Sequence, residues 1–428
     1  MTELHSQSHS HLNELGVTTT ITTASTIHAS DAGSISLEVE EVAELPSPIE
    51  GEEAVIEAAS IEDRPAAGAS PLTLRPPRIS ILTPALIIPF SILGLLIRLG
   101  LVSIETFPGQ QVFALAWPQF IGCMFMGLFV STREWINQGL ATKRITHKAR
   151  WIGPFIYVGL SSGLCGSITT FSSWSLGIFV EMINPTKIKR HPLQNVLSAL
   201  TELVVTLAFS MVGLQSGMHL GEAILQKDTT DNSDNSSRMQ NKPEPLKPVE
   251  SPLHWTILDF IIIGSCVLLW IGMVLVTILM PQGSWTSWRH VVFAICFAPP
   301  GAILRWYLSR FNIRTKQFPV GTFAANVIGS LILAALVCLQ HSSGVGGKST
   351  LICQVLSGLQ DGFCGCLTTI STFALELKIL SRRASYIYGV SSVVAAQLAM
   401  LIVLGSFVWT RSSTNMDDHV YARSLCSM

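Results

Sequence analysis

Two stretches of this sequence carry residue types able to handle an ion inside an apolar medium. Gly163-Leu-Cys-Gly-Ser-Ile-Thr-Thr170 and Gly362-Phe-Cys-Gly-Cys-Leu-Thr-Thr369 share the pattern Gly-x-Cys-Gly-x-x-Thr-Thr, each in the middle of a long apolar run. Glycines and paired threonines interrupt helical hydrogen bonding and free main-chain carbonyls in mid-membrane. An unpaired carbonyl in hydrocarbon is costly, so it must face protein, water or an ion. Two such breaks crossing antiparallel would form a cage for one desolvated cation. The competing reading is a kink repaired by the neighbouring Ser and Thr hydroxyls.

Aromatic residues follow each break: Phe171 and Trp174 after the first, Phe373 after the second. Ring edges carry partial positive charge. They can therefore line a path for a small anion without trapping it as an ammonium group would, although such rings on an apolar helix also serve as plain core packing. Asn326 is an amide within an apolar run, a donor to an anion or a polar tie between helices. Glu202 and Glu376 are carboxylates in apolar surroundings, and such groups are functional candidates by default. Glu376 also lies close enough to a helix end to be solvated. Arg98 and Arg305 lie near helix ends, where snorkelling is cheap and a structural role suffices.

These residues need a scaffold, and the composition says which. Of 428 residues 48% are hydrophobic and only 13% charged, with a mean hydropathy of +0.46. Soluble domains carry about 25% charged residues. The deficit points to a lipid-facing surface, and a net charge of −1 gives no basic field for a nucleic-acid partner. The nine cysteines form no C-x-x-C pair and read as small buried hydrophobes in a reduced protein. Met1 to Gly16 is polar and unlike a signal peptide, so the first apolar helix must drive insertion. No nucleophile–base or metal-ligand cluster suggests an enzyme. His5, His9 and His11 belong to a solvated tail more naturally than to a metal site.

Nine runs are long enough to span a core of about 30 Å. They lie near 81–103, 112–132, 151–180, 193–217, 256–280, 290–310, 318–340, 351–380 and 386–409. The third and eighth are too long for one straight crossing and hold the Gly/Thr breaks. Ahead of them, residues 1–78 are acidic and low in apolar content, a disordered cytosolic tail. Lys and Arg collect in alternate loops, which favours a cytosolic amino terminus and an external carboxyl terminus. Lys187 to Arg190 is the dissenting cluster.

The chain also repeats itself. Gly94-Leu-Leu-Ile-Arg98, Gln119-Phe-Ile-Gly122 and the first break are answered, in order, by Gly301-Ala-Ile-Leu-Arg305, Asn326-Val-Ile-Gly329 and the second break. The arginine precedes the second-helix glycine by 24 positions in both copies, 98 to 122 and 305 to 329. One extra helix between two four-helix copies inverts the second, and inverted repeats place a transport path at their interface. The expected fold is an all-α integral membrane protein of about nine transmembrane helices. Its parts are the tail 1–78, a first repeat 79–218, a polar linker 219–254, a linking helix 255–281, a second repeat 282–410 and a C-terminal tail 411–428.

Gly321-Thr-Phe-Ala-Ala-Asn326-Val-Ile-Gly329 and the Gly-x-x-Thr-Thr-x-Ser-Thr-Phe series resemble the Fluc (CrcB) fluoride channels, and the two-copy arrangement resembles their fungal FEX exporters. The resemblance covers roughly 80–410. It implies antiparallel halves, two potential pores along their interface and a structural Na⁺ at the centre. The sodium ligands implied are the carbonyls of Gly166, Thr169, Gly365 and Thr368. The family's pore asparagine is Asn326 here but Gln119 in copy one. Its first phenylalanine is Phe171 but Ile370 in copy two. Its second is Phe373 but Trp174 in copy one, and its mouth glutamate is Glu376 but Gly177. One pore would combine Asn326, Phe373 and Glu376 with Phe171; the other is left with Gln119, Trp174 and Ile370. The resemblance implies a passive fluoride channel in a fungal plasma membrane, working as a single chain in the lipid bilayer with no nucleic-acid partner. The rival reading, a proton-coupled small-molecule or drug exporter with inverted repeats, needs a carboxylate in the first helix of each unit. Neither 81–103 nor 290–310 has one.

Overall fold

The apolar runs fold as helices in the computed structural model, which describes residues 81–133, 149–184, 189–235, 257–279, 289–314, 317–342 and 350–411. All of these fall in one unit, 48–428. Among the described residues there is no strand. The tail 1–78 and most of 411–428 lie outside them.

Copy one begins with α1 (Leu82–Glu105) and α2 (Ala116–Ser131). Next, α3 (Ala149–Val158) runs through a wide π-helical stretch, Gly159–Cys165, into one short turn, Gly166–Ile168. After the break come α4 (Phe171–Ile183) and α5 (Pro192–Asn235). The linking helix is α6 (Ile257–Leu279). Copy two follows the same plan: α7 (Arg289–Ser309), α8 (Val320–Gln340), and α9 (Thr350–Leu359) with its wide stretch Gln360–Cys364 and turn Gly365–Leu367. It ends with α10 (Ser371–Ile379) and α11 (Arg382–Met400). Eight spans are long and apolar enough to cross a membrane, and α2, with 16 residues, is a shorter ninth apolar helix.

Two boundaries differ from the sequence expectation. α2 begins at Ala116 rather than near 112, because the chain first turns through Gly109 at φ +88°. α5 continues to Asn235, into the stretch expected as linker from 219. Its 44 residues would extend about 66 Å at 1.5 Å per residue, twice a bilayer core. Good helix formers at Glu222-Ala-Ile-Leu-Gln-Lys227 carry the helix past its apolar part.

The first helices of the two copies, α1 and α7, pack together through Ile87, Ile88, Leu95, Ala294, Ala298 and Ala302. Gly94 and Gly301 occupy equivalent places, each pressed against the main chain of its own copy's wide stretch, at Leu164 and Phe363. Any side chain there would push the break away. α6 lies outside this pair, held by the Trp270 indole donating to the Cys296 carbonyl at 3.0 Å. Its other faces expose Phe260, Leu268 and Ile278, as a lipid-facing helix should. The second halves of the broken helices pack on the next helix of their own copy and also reach the other copy. α4 packs on α8 and α11 of copy two, while α10 packs on α2 and α5 of copy one. Among the described residues seven cysteines are free thiols, five of them buried, whereas Cys353 is disulfide-bonded, against the expectation of a reduced protein.

Candidate ion pathway

Both breaks occur where the patterned threonines stand. Thr169 (ψ 152°) and Thr368 (ψ 152°) leave helical geometry, which turns their carbonyls off the helix axis. Each hydroxyl then serves the other copy. Thr368 Oγ1 accepts from the main-chain N–H of Phe171 at 3.2 Å and of Ser172 at 3.0 Å. Thr169 Oγ1 accepts from Ile370 at 3.2 Å and Ser371 at 3.1 Å. Free N–H groups at a helix start need such acceptors. Here α4 and α10 obtain them reciprocally, across a pseudo-two-fold axis. The hydroxyl repair and the exposed-carbonyl reading therefore coexist, because side chain and carbonyl of the same threonine do different jobs.

The arginines are not snorkelling. Arg98 is 2% exposed and Arg305 4%. Arg98 donates to the Gly365 carbonyl at 2.7 Å and to the Asp361 carbonyl. Arg305 donates to the Gly166 carbonyl at 2.5 Å and to the Ser162 carbonyl. Each guanidinium thus straddles the wide stretch of the opposite copy, where helical pairing is loosened and carbonyls are left over. A methyl group on Gly166 or Gly365 would collide with that guanidinium. Snorkelling was expected because Arg305 and Arg98 lie about one and two turns from a helix end; the crossing of α1 and α7 at the centre turns them inward instead.

The amides of the second helices act alike. Asn326 Nδ2 donates to the Thr369 carbonyl at 3.2 Å, and the Thr369 N–H returns to Asn326 Oδ1 at 2.9 Å. Gln119 Nε2 donates to the Thr170 carbonyl at 2.8 Å, with Thr170 N–H on Gln119 Oε1 at 3.4 Å. Both amides are fully buried. Each ties a helix to the backbone of the second threonine of its own copy's break, so the tie anticipated as one option for Asn326 is present at both positions.

The rings form a chain. Phe171 meets Trp174 edge-on at 5.1 Å and Phe373 edge-on at 5.3 Å, and Phe373 meets Tyr388 at 5.2 Å. Ile370, also fully buried, joins the same cluster. Glu376 is partly buried, not freely solvated. Its Oε1 accepts from Thr322 Oγ1 at 2.6 Å and Asn312 Nδ2 at 3.0 Å, and its Oε2 from the Tyr388 hydroxyl at 2.6 Å. Asn312 Oδ1 also accepts from the N–H groups of Gly321 and Thr322, fixing the start of α8. Tyr388 and Asn312 were missed as site residues. Tyr388, a polar-tipped aromatic within an apolar run, was a usable signal; Asn312, in a polar loop, offered none.

A sodium ion would need hard oxygen donors. Gly166, Thr169, Gly365 and Thr368 offer main-chain oxygens, two from each copy, which suits the ion in kind. The Gly166 and Gly365 oxygens already accept a guanidinium proton, so a cation would share them through the second lone pair.

Fold and site together define a two-copy, all-α multi-pass membrane protein with paired broken helices tied to each other at its centre. The family profile described as CrcB-like protein, Camphor Resistance (CrcB), matches residues 85–214 and 292–406, once per copy. The chain is 33% identical over 364 residues to Fluoride export protein 1 of Neurospora crassa, covering 75% of this chain and 65% of that protein. It is 31% identical to Fluoride export protein 1 of Candida albicans, covering 75% of this chain and 78% of that protein. Fluoride-specific ion channel FluC of Acinetobacter baylyi is 31% identical over 119 residues, 27% of this chain and 90% of that protein. No solved structure matches. The chain belongs to the CrcB family.

Proposed function

We propose that this protein exports fluoride across the plasma membrane as a passive, fluoride-selective channel and so gives fluoride resistance. The observation that carries this reading is the similarity, over three quarters of the chain, to proteins named for fluoride export. Phe171 and Phe373, one from each copy, meet at 5.3 Å, and aromatic rings gathered there favour a small anion at their remaining edges. The protein acts as a channel rather than an enzyme, and its driving force needs no cofactor. An inside-negative potential of about 100 mV is worth about 2.3 kcal/mol per expelled anion.

One passage uses Asn326, Phe373, Phe171 and Glu376. The other, with Gln119, Trp174 and Ile370, does not conduct. Asn326 positions the Thr369 backbone and leaves a second amide hydrogen for the ion. Na⁺ at the Gly166, Thr169, Gly365 and Thr368 carbonyls ties the two breaks together. The chain works alone, with its amino terminus in the cytosol.

Fluoride efflux from proteoliposomes holding the purified chain, run beside chloride, tests the function. Rapid fluoride release with chloride retained is expected, and equal release of both would overturn selectivity. Orientation is tested at the Asn235-Ser-Ser237 sequon, which stays unglycosylated if it is cytosolic. Replacing Na⁺ by N-methylglucamine should lower the melting temperature, and an unchanged value would remove the sodium from the account.

A further inference from the structure

Positions 166 and 365, and 169 and 368, are equivalent in the two copies, so Gly177 stands where Glu376 stands in copy two. The carboxylate missing from α4 has a neighbour in its place. Glu202, on α5, is 7% exposed, and its carboxylate lies flat against Gly177. A Cβ at position 177 would sit 2.8 Å from Glu202 Cδ and 3.0 Å from its Oε2. Position 177 is glycine because another residue's carboxylate fills the space. Both copies thus hold a carboxylate between the second half of the broken helix and the helix that follows, supplied from opposite sides.

The surroundings differ. Glu376 accepts three hydrogen bonds. No hydrogen bond to the Glu202 carboxylate occurs among the described residues, whereas its main-chain carbonyl accepts from the Trp174 indole N–H at 3.3 Å. One turn along the same face, the fully buried Thr206 hydroxyl has no partner. The carbonyl four residues back, to which a helical threonine ordinarily donates, accepts from Trp174 here. Glu202, Thr206 and Ser210 recur every fourth residue on this buried face. The equivalent face of α11 carries Tyr388, whose hydroxyl is bonded to Glu376, and Ser392, whose hydroxyl donates to the Tyr388 carbonyl at 2.7 Å.

We infer that Glu202 and Trp174 together close the second passage to anions by bulk: Trp174, tethered to α5, fills it, and the buried Glu202 carboxyl packs into the gap that Gly177 leaves. The inference rests on the one-passage reading above and supplies its cause. The replacements at Gln119 and Ile370 are then secondary, because the route is blocked by something present rather than by something missing.

The test runs in an Asn326→Ala protein, reading fluoride efflux from proteoliposomes, with gel filtration confirming each variant is intact. Asn326→Ala alone should reduce efflux to the leak of empty vesicles; if it keeps full efflux, the one-passage reading itself has failed. Adding Glu202→Ala and Trp174→Phe should raise efflux at least tenfold above the Asn326→Ala protein. Adding Glu202→Gln, which keeps the bulk, should leave it at the leak. Efflux that stays at the leak in the Glu202→Ala, Trp174→Phe background overturns the plug. If that variant fails to fold, Glu202→Ala alone is read in its place, and a rise of less than twofold there overturns it equally.

Discussion

The two copies are alike where they hold each other and unlike where an ion would pass. Each arginine clamps the opposite break, each first threonine caps the opposite helix, and each second-helix amide ties the second threonine, with matching partners in both directions. Past the breaks the symmetry ends. Phe373 touches Tyr388, which bonds a Glu376 held by three donors. Trp174 is bonded to the main chain of Glu202, whose carboxylate lies against a glycine. Scaffold contacts are reciprocal, so a change in either copy disturbs both. Under the proposed one-passage reading, residues lining one route answer only for that route and are free to diverge.

The largest effects should be symmetric. Gly166→Val and Gly365→Val each drive a side chain into a guanidinium bonded to two carbonyls, and each charge-assisted bond is worth about 1.5–3 kcal/mol. Both variants should lose fluoride efflux and most surface expression, measured by efflux and by surface labelling. Normal efflux in either one would break the claim that the scaffold is shared.

The next effect should be one-sided. Asn326→Ala should cut efflux at least about tenfold, which corresponds to about 1.4 kcal/mol on the barrier. Gln119→Ala should leave efflux within twofold. Both should lower the melting temperature by similar amounts, since both amides make the same pair of backbone bonds. Equal damage to growth on fluoride of an exporter-deficient fungus would show that both passages conduct. Phe373→Ala and Phe171→Ala should likewise impair efflux, while Ile370→Ala should do so far less. Phe171 sharpens the comparison, because it belongs to copy one yet meets Phe373 edge-on.

Smaller effects return to symmetry. Thr169→Ala and Thr368→Ala each remove a cap worth about 1 kcal/mol. Each should lower the melting temperature by a few degrees, by similar amounts. This exceeds what a carbonyl-only role for these threonines would predict. Smallest of all, Tyr388→Phe deletes one of three donors to Glu376, a loss of about 1 kcal/mol. Efflux should fall severalfold while folding, followed by gel filtration, stays intact.

Helix positions, the two breaks and the duplication were legible in the sequence because each depends on local properties: apolar length against membrane thickness, and Gly and Thr where helical pairing fails. The substitutions separating the copies, Asn326 against Gln119 and Glu376 against Gly177, were legible too, once the repeat was aligned. Tertiary structure alone decided what those residues touch. Arg98 finds a carbonyl 267 positions away and Arg305 one 139 positions away, on faces no periodicity predicts. It showed Gln119 doing the same backbone work as Asn326, and it set the Glu202 carboxylate in the gap at Gly177. A side chain's chemistry is written in its own residue, but its partner is chosen by helices that meet only when two distant copies fold against each other.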